Sequence, residues 1–274
     1  MKNDSGRSFL LSTILLNSRL KWYEYYILCA IAHGYTLTSF IDYLENPAFE
    51  KRKVMILRHD IDQSVKNARL LFSIEKNHNA KATYYFRWKT FDKQLIDELV
   101  KSGFEVGLHY ETLGAYCAEN DIRIVNNAVI NICKKKLKNE IQDFNRLAGL
   151  HIKTVCAHGS SINRQLGVTN NVLLENEDYR KFHIKCAAYD KEFYSKADAH
   201  IMDTNLLHNN GFAYKQNPIQ SIKEGRKLIV FLSHPRHWHL EFSQRTKMLI
   251  KFILGQYTSN TTRVFQRINL EGPD

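Results

Sequence analysis

Five polar side chains stand at the ends of apolar, strand-like segments, and their types are those that bind metals and transfer protons. They are Asp60, Asp62, His109, His158 and His234. The carboxyl ends of parallel strands are where α/β barrels place their catalytic groups. Carboxylates and imidazoles are zinc ligands, and they also act as general acids and bases. The pattern therefore favours a site that binds a divalent ion beside groups able to transfer protons.

The two carboxylates come from one short segment. The apolar run from Val54 to Leu57 ends in Arg58-His59-Asp60-Ile61-Asp62. Because successive side chains of an extended chain point to opposite faces, Asp60 and Asp62 lie on the same side. Two such carboxylates can share one metal ion, or one can bind the metal while the other serves as a base.

The elements that position these residues alternate between strand and helix. Apolar β-rich runs predict strands at 54–57, 82–87, 105–109, 154–157, 186–188 and 228–232, and helical spacing predicts helices at 65–77, 93–102, 126–147 and 244–254. Since parallel strands need helical crossovers, the alternation predicts an α/β fold with a parallel sheet or a (β/α) barrel. We expect residues 1–50 to form an N-terminal helical cap and residues 51–274 to form the barrel, packed as one domain with a loose tail after Tyr257.

Composition narrows the class of protein. The 274 residues are 44% hydrophobic and 24% charged, as in a globular domain with a substantial core. No apolar run approaches the roughly 20 residues of a membrane span. The five cysteines are scattered and form no Cys-x-x-Cys pair, so neither a disulfide framework nor a zinc ribbon is indicated. Without a recognisable export signal, we expect a cytoplasmic protein with reduced thiols.

The net charge of +11 is compatible with nucleic acid, anionic lipid headgroups or a phosphorylated substrate. The basic residues are dispersed, and no nucleic-acid-binding motif is present, so we predict no nucleic-acid partner. There is also no Gly-x-Gly-x-x-Gly or Walker loop, and no nucleotide cofactor is expected. The sequence does not determine the oligomeric state.

Four motifs resemble those of the metal-dependent polysaccharide deacetylases, the NodB-homology proteins of carbohydrate esterase family four. They are Arg58-His59-Asp60-Ile61-Asp62, His109-Tyr110-Glu111, Cys156-Ala157-His158-Gly159-Ser160 and His234-Pro235-Arg236-His237-Trp238. Together they look closest to an uncharacterised branch of that family, and the resemblance runs from about residue 51 to residue 238. It implies the deformed (β/α) barrel of the glycoside hydrolase/deacetylase superfamily.

The resemblance also implies roles for individual residues. Asp60 corresponds to the general base, His234 to the general acid, and Asp62 and His109 to ligands of one divalent ion, for which zinc is expected. In the family a second ligand histidine follows the first by four residues, and this position is Leu113 here. Either Glu111 or His158 can complete the site, and the sequence does not choose between them.

Further residues are predicted to surround the reacting groups. Asp190 and Asp203 resemble acidic positions of the same branch, and the family's arginine-containing motif is not evident, so that Arg87, Arg164 or Arg236 is expected to orient Asp60. The predicted substrate contacts are Arg87, Tyr85, Trp238 and Asp190.

The function implied is a hydrolase acting on carbon–nitrogen bonds, which removes an N-acetyl group from a sugar or sugar-bearing precursor in cell-surface polysaccharide metabolism. A cytoplasmic enzyme would meet a nucleotide- or lipid-linked precursor, and its positive charge would suit a phosphate or peripheral contact with an anionic membrane. The alternative is a catalytically inactive carbohydrate-binding or scaffold protein with the same fold, since Leu113 replaces a ligand.

Overall fold

The structure is a computed structural model that describes residues 18–203 and 216–239, together with Thr246 and Ile250. The predicted tail after Tyr257, and all but two residues of the predicted helix at 244–254, lie outside this part of the chain. Within it, the strands are β1 (Thr36–Thr38), β2 (Val54–Ile61), β3 (Thr83–Phe86), β4 (Glu105–Tyr110), β5 (Thr154–Ala157), β6 (Cys186–Ala187), β7 (Ala199–Met202) and β8 (Leu228–Ser233). They form one sheet in the order β6-β5-β4-β3-β2-β8-β7, with β1 paired to β2.

Every strand pair in this sheet is parallel. The helices are α1 (Leu20–Ala32), α2 (Phe40–Glu45), α3 (Val65–Asn77), α4 (Lys93–Lys101), α5 (Thr112–Glu119), α6 (Asn127–Ala148), α7 (Ser161–Leu166), α8 (Lys191–Lys196) and α9 (Pro218–Lys223). None of these helices has both the length and the apolar character needed to cross a bilayer.

The sheet is strongly curved, as is shown by side chains from distant strands that meet on its concave face. Cys186 on β6 shares one apolar cluster with Val54 on β2 and Leu228 on β8, although β6 lies four strands from β2 in the sheet. In a flat sheet, four spacings of roughly 4.8 Å would put these strands about 19 Å apart. The strands therefore curl around an interior, and the predicted deformed (β/α) barrel is confirmed.

Successive side chains of β2 point alternately to the two faces of this sheet. Met55 and Leu57 belong to the large core that the sheet forms with the surrounding helices. Val54 and Ile56 face the barrel interior instead. The same alternation continues past Ile56, and it brings Asp60 into the interior at the carboxyl end of the strand.

Tyr85 on β3 fills the middle of the barrel, which corrects the prediction that it contacts a substrate. The residue is completely buried, and its hydroxyl lies 2.8 Å from the Thr154 hydroxyl on β5. A Cβ atom at Gly107 on β4 would lie only 2.6 Å from the Tyr85 ring. Glycine at this position therefore makes room for a ring that packs the interior.

The segment before residue 51 does more than form a helical cap. Its residues Thr36–Thr38 form β1, which pairs with the first half of β2. Helix α1 packs Tyr23 against Trp238, with ring centroids 5.1 Å apart. Helix α2 lies at the amino end of the barrel, where the backbone N–H of Ile41 donates to Glu105 on β4 at 2.8 Å. The division into 1–50 and 51–274 stays a prediction.

Glu105 is a buried carboxyl group inside the barrel, at the amino end of β4, whereas His109 lies near the carboxyl end of the same strand. It accepts hydrogen bonds from the Thr83 hydroxyl at 2.6 Å and from the Thr154 hydroxyl. Burial raises the pKa of Glu105 to about 7, and the hydrogen bonds from Thr154, Thr83 and Ile41 counteract only part of that effect. The folded protein therefore retains a proton on Glu105 at pH values where the unfolded chain has lost it.

This proton makes stability depend on pH. As the pH rises from about 4.5 to above 7, Glu105 ionises freely in the unfolded state, whereas in the folded state it can ionise only as a buried group. The free energy of unfolding therefore falls. We expect Glu105→Gln to remove this pH dependence. From about pH 5 to about pH 8, the free energy of unfolding of the variant should rise by roughly 2 kcal/mol relative to that of the wild type. Urea unfolding across this range measures the difference. Glu119→Gln, at an exposed position, is the matched control, and equal pH profiles for Glu105→Gln and wild type would contradict the expectation.

Candidate metal centre and active site

The carboxyl ends of four strands bring the chemistry-bearing residues together. His109 lies near the end of β4, His158 follows β5, Asp62 follows β2 and His234 follows β8. Strand β3 separates β2 from β4 in the sheet, but the curvature of the barrel closes this distance. The predicted polar strand ends therefore converge at one edge of the sheet.

Three donor atoms converge there with the spacing of a metal site. Asp62 Oδ1 lies 3.3 Å from His109 Nε2 and 3.3 Å from His158 Nε2. Asp62 Oδ1 is buried and makes no hydrogen bond of good geometry in the described part of the chain. A tetrahedral ion with bonds of about 2.1 Å to nitrogen and oxygen holds its ligands about 3.4 Å apart. Asp62 Oδ1 stands at about that distance from both nitrogens, and the three atoms lie within 4.8 Å of one another.

The protonation of His109 supports the same conclusion. Its Nδ1 lies 3.1 Å from the carbonyl oxygen of Cys156. A carbonyl oxygen only accepts, so Nδ1 carries a proton and Nε2 is the nitrogen that would bind a metal ion. Burial alone would raise the pKa of Asp62, but His109 and His158 lower it by more.

Glu111 contacts His158 rather than the three-atom cluster. Its Oε1 lies 3.1 Å from His158 Nδ1, on the ring nitrogen opposite the one that faces Asp62. Arg87 donates to both Glu111 oxygens, from Nε at 2.6 Å and from Nη2. A carboxylate behind a ligand histidine fixes the orientation of its ring and raises its basicity. Glu111 therefore lies behind His158 and outside the three-atom cluster, and its role as a ligand stays a prediction.

Arg87 makes a further contact within the fold, and its contact with substrate stays a prediction. Besides Glu111, it contacts the backbone oxygen of Asp62 from Nη1 at 3.2 Å, and only 9% of the residue is exposed. The net pKa of Glu111 is about 2, because the contacts with His158 and Arg87 outweigh the burial that would raise it. Arg87 is therefore occupied in holding Glu111 and the Asp62 loop.

Leu113, which occupies the expected position of a second histidine ligand, is buried in the large core on α5. Its backbone N–H donates to the Asn170 side chain at 2.9 Å. An imidazole there would have to leave this core to reach the three donor atoms. His158 supplies the third donor from β5 instead.

Asp60 is held by an arginine on its own strand. Arg58 Nε and Nη2 donate to the two carboxylate oxygens at 2.9 Å and 2.8 Å. Nη2 also contacts Cys156 Sγ at 2.7 Å, and the guanidinium lies 4.3 Å from the centre of the Tyr189 ring. Burial raises the pKa of Asp60, but Arg58 and His109 lower it by more. Asp60 is therefore ionised at neutral pH and able to accept a proton.

Arg58 corrects the prediction that Arg87, Arg164 or Arg236 orients Asp60. Arg87 holds Glu111, and Arg164 is exposed on α7. Arg236 approaches Asp62, with Nη2 3.9 Å from Oδ2. The signal for Arg58 was present in the sequence, because it stands two residues before Asp60 in an extended strand and must share its face.

His234 is oriented by Asp203, which directly follows β7. His234 Nδ1 donates to Asp203 Oδ1 at 2.6 Å, and the His234 backbone N–H donates to Oδ2 at 2.7 Å. Asp203 is completely buried. Burial lowers the pKa of His234, but the charge of Asp203 raises it by more, with further contributions from Asp60 and Asp62. Asp203 therefore fixes the orientation of His234 and favours its protonated form.

Trp238 supports Asp203, which corrects the prediction that it binds substrate. Only 1% of Trp238 is exposed, and its indole N–H donates to Asp203 Oδ2 at 2.9 Å. The backbone N–H of Arg19, before α1, donates to the Trp238 carbonyl at 2.7 Å. The residue lies beneath the first helix and fixes the carboxylate that orients His234.

Asp190 caps a helix, and its contact with substrate stays a prediction. Its side chain accepts from the Phe193 backbone N–H at 2.9 Å and so caps the start of α8. It also accepts from the Tyr179 hydroxyl at 2.7 Å. Both oxygens are therefore used within the fold.

Similar chains were found among solved structures. Wild-type BA3943 from Bacillus anthracis, a CE4 family pseudoenzyme, is 13% identical with a TM-score of 0.39, over 76% of this chain and 63% of its own. The peptidoglycan deacetylase PdaC from Bacillus subtilis gives the same identity and TM-score, over 76% of this chain and 98% of its own. A structure of T48 deacetylase with substrate also gives 13% and 0.39, over 76% and 87%.

This chain spans about 63% of the length of BA3943. No protein-family model matches the sequence, and no curated protein matches it. At 13% identity, the roles of individual residues have to be argued from the site itself. The solved structures to which this chain is similar are deacetylases and a CE4 family pseudoenzyme.

Proposed function

We propose that this protein is a metal-dependent hydrolase that removes an N-acetyl group from a sugar or sugar-bearing precursor. The observation that carries the proposal is the convergence of His109 Nε2 and His158 Nε2 on Asp62 Oδ1, each at 3.3 Å from that oxygen. An ionised carboxylate and a histidine that holds its proton stand beside them. A fold alone does not define a reaction, but this combination of groups does restrict it.

Asp62, His109 and His158 would hold the ion, and zinc suits their donor set of one oxygen and two nitrogens. When bound, a divalent ion supplies Lewis acidity, which polarises an acyl carbonyl and lowers the pKa of water. Glu111 holds His158 in place through its far nitrogen. The Cys156 carbonyl does the same for His109, so both rings are fixed before an ion arrives.

Asp60 and His234 divide the proton transfers. Asp60 is ionised and held by Arg58, and it accepts the proton of the attacking water. His234 keeps its proton through Asp203, and it donates to the nitrogen of the departing amine. Asp60 Oδ2 lies 3.6 Å from His109 Nε2, which sets the base directly beside the proposed ligands.

The sugar part of the proposal rests on the motifs that end β2, β4, β5 and β8. The test is release of acetate from N-acetylated sugars by the purified protein, before and after treatment with a chelator and again after zinc is restored. We expect release that is lost with the chelator and recovered with zinc. Activity that survives complete removal of the metal would overturn the proposal.

The Asp203–His234 pair predicts a pH dependence. The protonated form of His234 is required, so the rate falls as the pH rises through its pKa, which Asp203 raises above the ordinary value. In Asp203→Asn the negative charge is gone and the pKa of His234 falls. We expect the alkaline limb of kcat/KM to move to lower pH by about one unit or more. Unchanged metal content would show an intact ligand site, and an alkaline limb that stays in place would assign the titration to another group.

A further inference from the structure

Two cationic side chains flank the proposed active site on opposite sides. Lys89 follows β3 in the turn Trp88–Thr90, and Arg236 follows β8 in the turn Pro235–His237. Strands β3 and β8 lie on either side of the carboxyl-terminal half of β2 in the sheet. Because Asp62 directly follows β2, the two cations stand to either side of it at the rim of the barrel.

The other charges at this edge are already paired. Asp60 is paired with Arg58, and Glu111 with Arg87. Asp203 contacts His234. Asp62, the remaining carboxylate, faces two histidines and belongs to the proposed metal centre. A bound divalent ion would neutralise it, and the charge of Lys89 and Arg236 would then be in excess.

Both side chains are accessible to a ligand. Lys89 is exposed, and within residues 18–203 and 216–239 no hydrogen bond or ion pair of its ammonium group was found. The Arg236 side chain is 35% exposed, and its closest carboxylate atom is Asp62 Oδ2 at 3.9 Å. Its Nε donates to His237 Nε2 at 3.2 Å, which fixes the guanidinium plane. Burial lowers the pKa of Lys89, as do the charges of Arg87 and Arg236, and the charges of Glu111 and Asp62 offset only part of this effect.

We propose that Lys89 and Arg236 form a subsite for an anionic group on the substrate, a carboxylate or a phosphate carried by the sugar near its acyl group. This inference rests on the proposed function and specifies its substrate class. Arginine offers a planar pair of donors that matches either group, and lysine adds a mobile point charge. A neutral sugar would leave both cations without a partner, so the subsite selects charged sugars over neutral ones.

Equilibrium binding tests this without any turnover. Isothermal titration calorimetry on the zinc-loaded protein compares N-acetylglucosamine 1-phosphate, N-acetylmuramic acid and neutral N-acetylglucosamine. We expect at least one anionic sugar to bind about tenfold more tightly than the neutral one. The two anionic sugars distinguish a phosphate from a carboxylate. The preference should weaken as salt rises from about 50 mM to about 300 mM.

Substitutions then test which residues cause the preference for an anionic sugar over the neutral one. Lys89→Gln and Arg236→Gln should each reduce it severalfold, whereas Lys135→Gln and Arg164→Gln, at exposed positions on α6 and α7, should leave it unchanged. Metal content is measured for each variant, since an anion can also bind a metal ion directly. Equal affinity for all three sugars, undetectable binding of both anionic sugars, or a preference that survives in both site variants at full metal content would each overturn the inference. Because no acetate is measured, a failed deacetylase assay does not decide this result.

Discussion

A chain in which His158 is replaced by alanine is expected to lose its metal ion. The wild-type protein, purified without a chelator, should contain about one zinc or similar divalent ion per chain. Removing one of three protein ligands should weaken zinc binding by more than about 100-fold, because even residues that only support a ligand contribute 10- to 100-fold. Asp62→Ala and His109→Ala should have the same effect, since their donor atoms form the same cluster. Elemental mass spectrometry and a competitive zinc titration measure both quantities.

Two further variants make this result specific. His151→Ala removes an exposed histidine outside the site and should retain the metal. Glu111→Gln removes the carboxylate behind His158 and should weaken zinc binding by roughly 10-fold, less than the loss of a ligand. If Glu111→Gln loses as much affinity as His158→Ala, Glu111 is itself a ligand. A wild-type protein that takes up no metal would contradict the proposed function and favour the binding or scaffold alternative.

Asp60→Asn is expected to lower kcat by about 1,000-fold or more while the metal stays bound. Asparagine has nearly the shape of aspartate but cannot accept the proton of water. Asp60 lies outside the Asp62–His109–His158 cluster, although it forms a second group of possible ligands with His109 and Cys156. Unchanged metal content in the variant would therefore separate loss of the base from loss of the ion. Asp97→Asn, in an exposed ion pair on α4, is the control for the chemical change. A variant that keeps most of its activity would show that another group serves as the base.

The same substitution has a cost in stability. Arg58 and Asp60 are both buried, with side-chain exposures of 2% and 3%. Breaking a buried ion pair leaves one charge uncompensated and typically costs about 3–5 kcal/mol. Kinetics should therefore be measured at a temperature where circular dichroism shows the variant to be folded. A second variant, Arg58→Lys, keeps a cation beside Asp60 and should retain far more activity than Asp60→Asn.

The sequence was sufficient to predict the parallel sheet and the edge where the polar residues meet. Strong apolar runs predicted β2, β5 and β8, and Asp62, His109 and His158 follow or end such runs. Short strands were missed: β1 is three residues long, and β7 carries the half-exposed His200 and Met202, so its apolar pattern is broken. Without β7, Asp203 had no strand to follow, and its role behind His234 was not predicted.

The errors concern contacts that depend on curvature and packing. Glu111 and His158 were equally good candidates because they come from different strands, and only the curl of the sheet decides which side chain faces Asp62. Tyr85 and Trp238 are large and partly polar, as substrate contacts often are. Tyr85 is buried because Gly107 leaves room for its ring inside the barrel, and Trp238 because α1 covers it. Neither neighbour is close in sequence.

The pairing of Arg58 with Asp60 along a single strand makes the nearest counter-charge of the base a local property of three consecutive residues. Their separation is fixed by the pleat, at about 3.3 Å per residue, and not by the packing of two elements. A shift of β2 along its neighbours would move the carboxylate and this counter-charge together. The tripeptide could therefore be transplanted by design onto another buried parallel strand with its ion pair intact, whereas the proposed metal ligands, drawn from three strands, could not be moved as one piece.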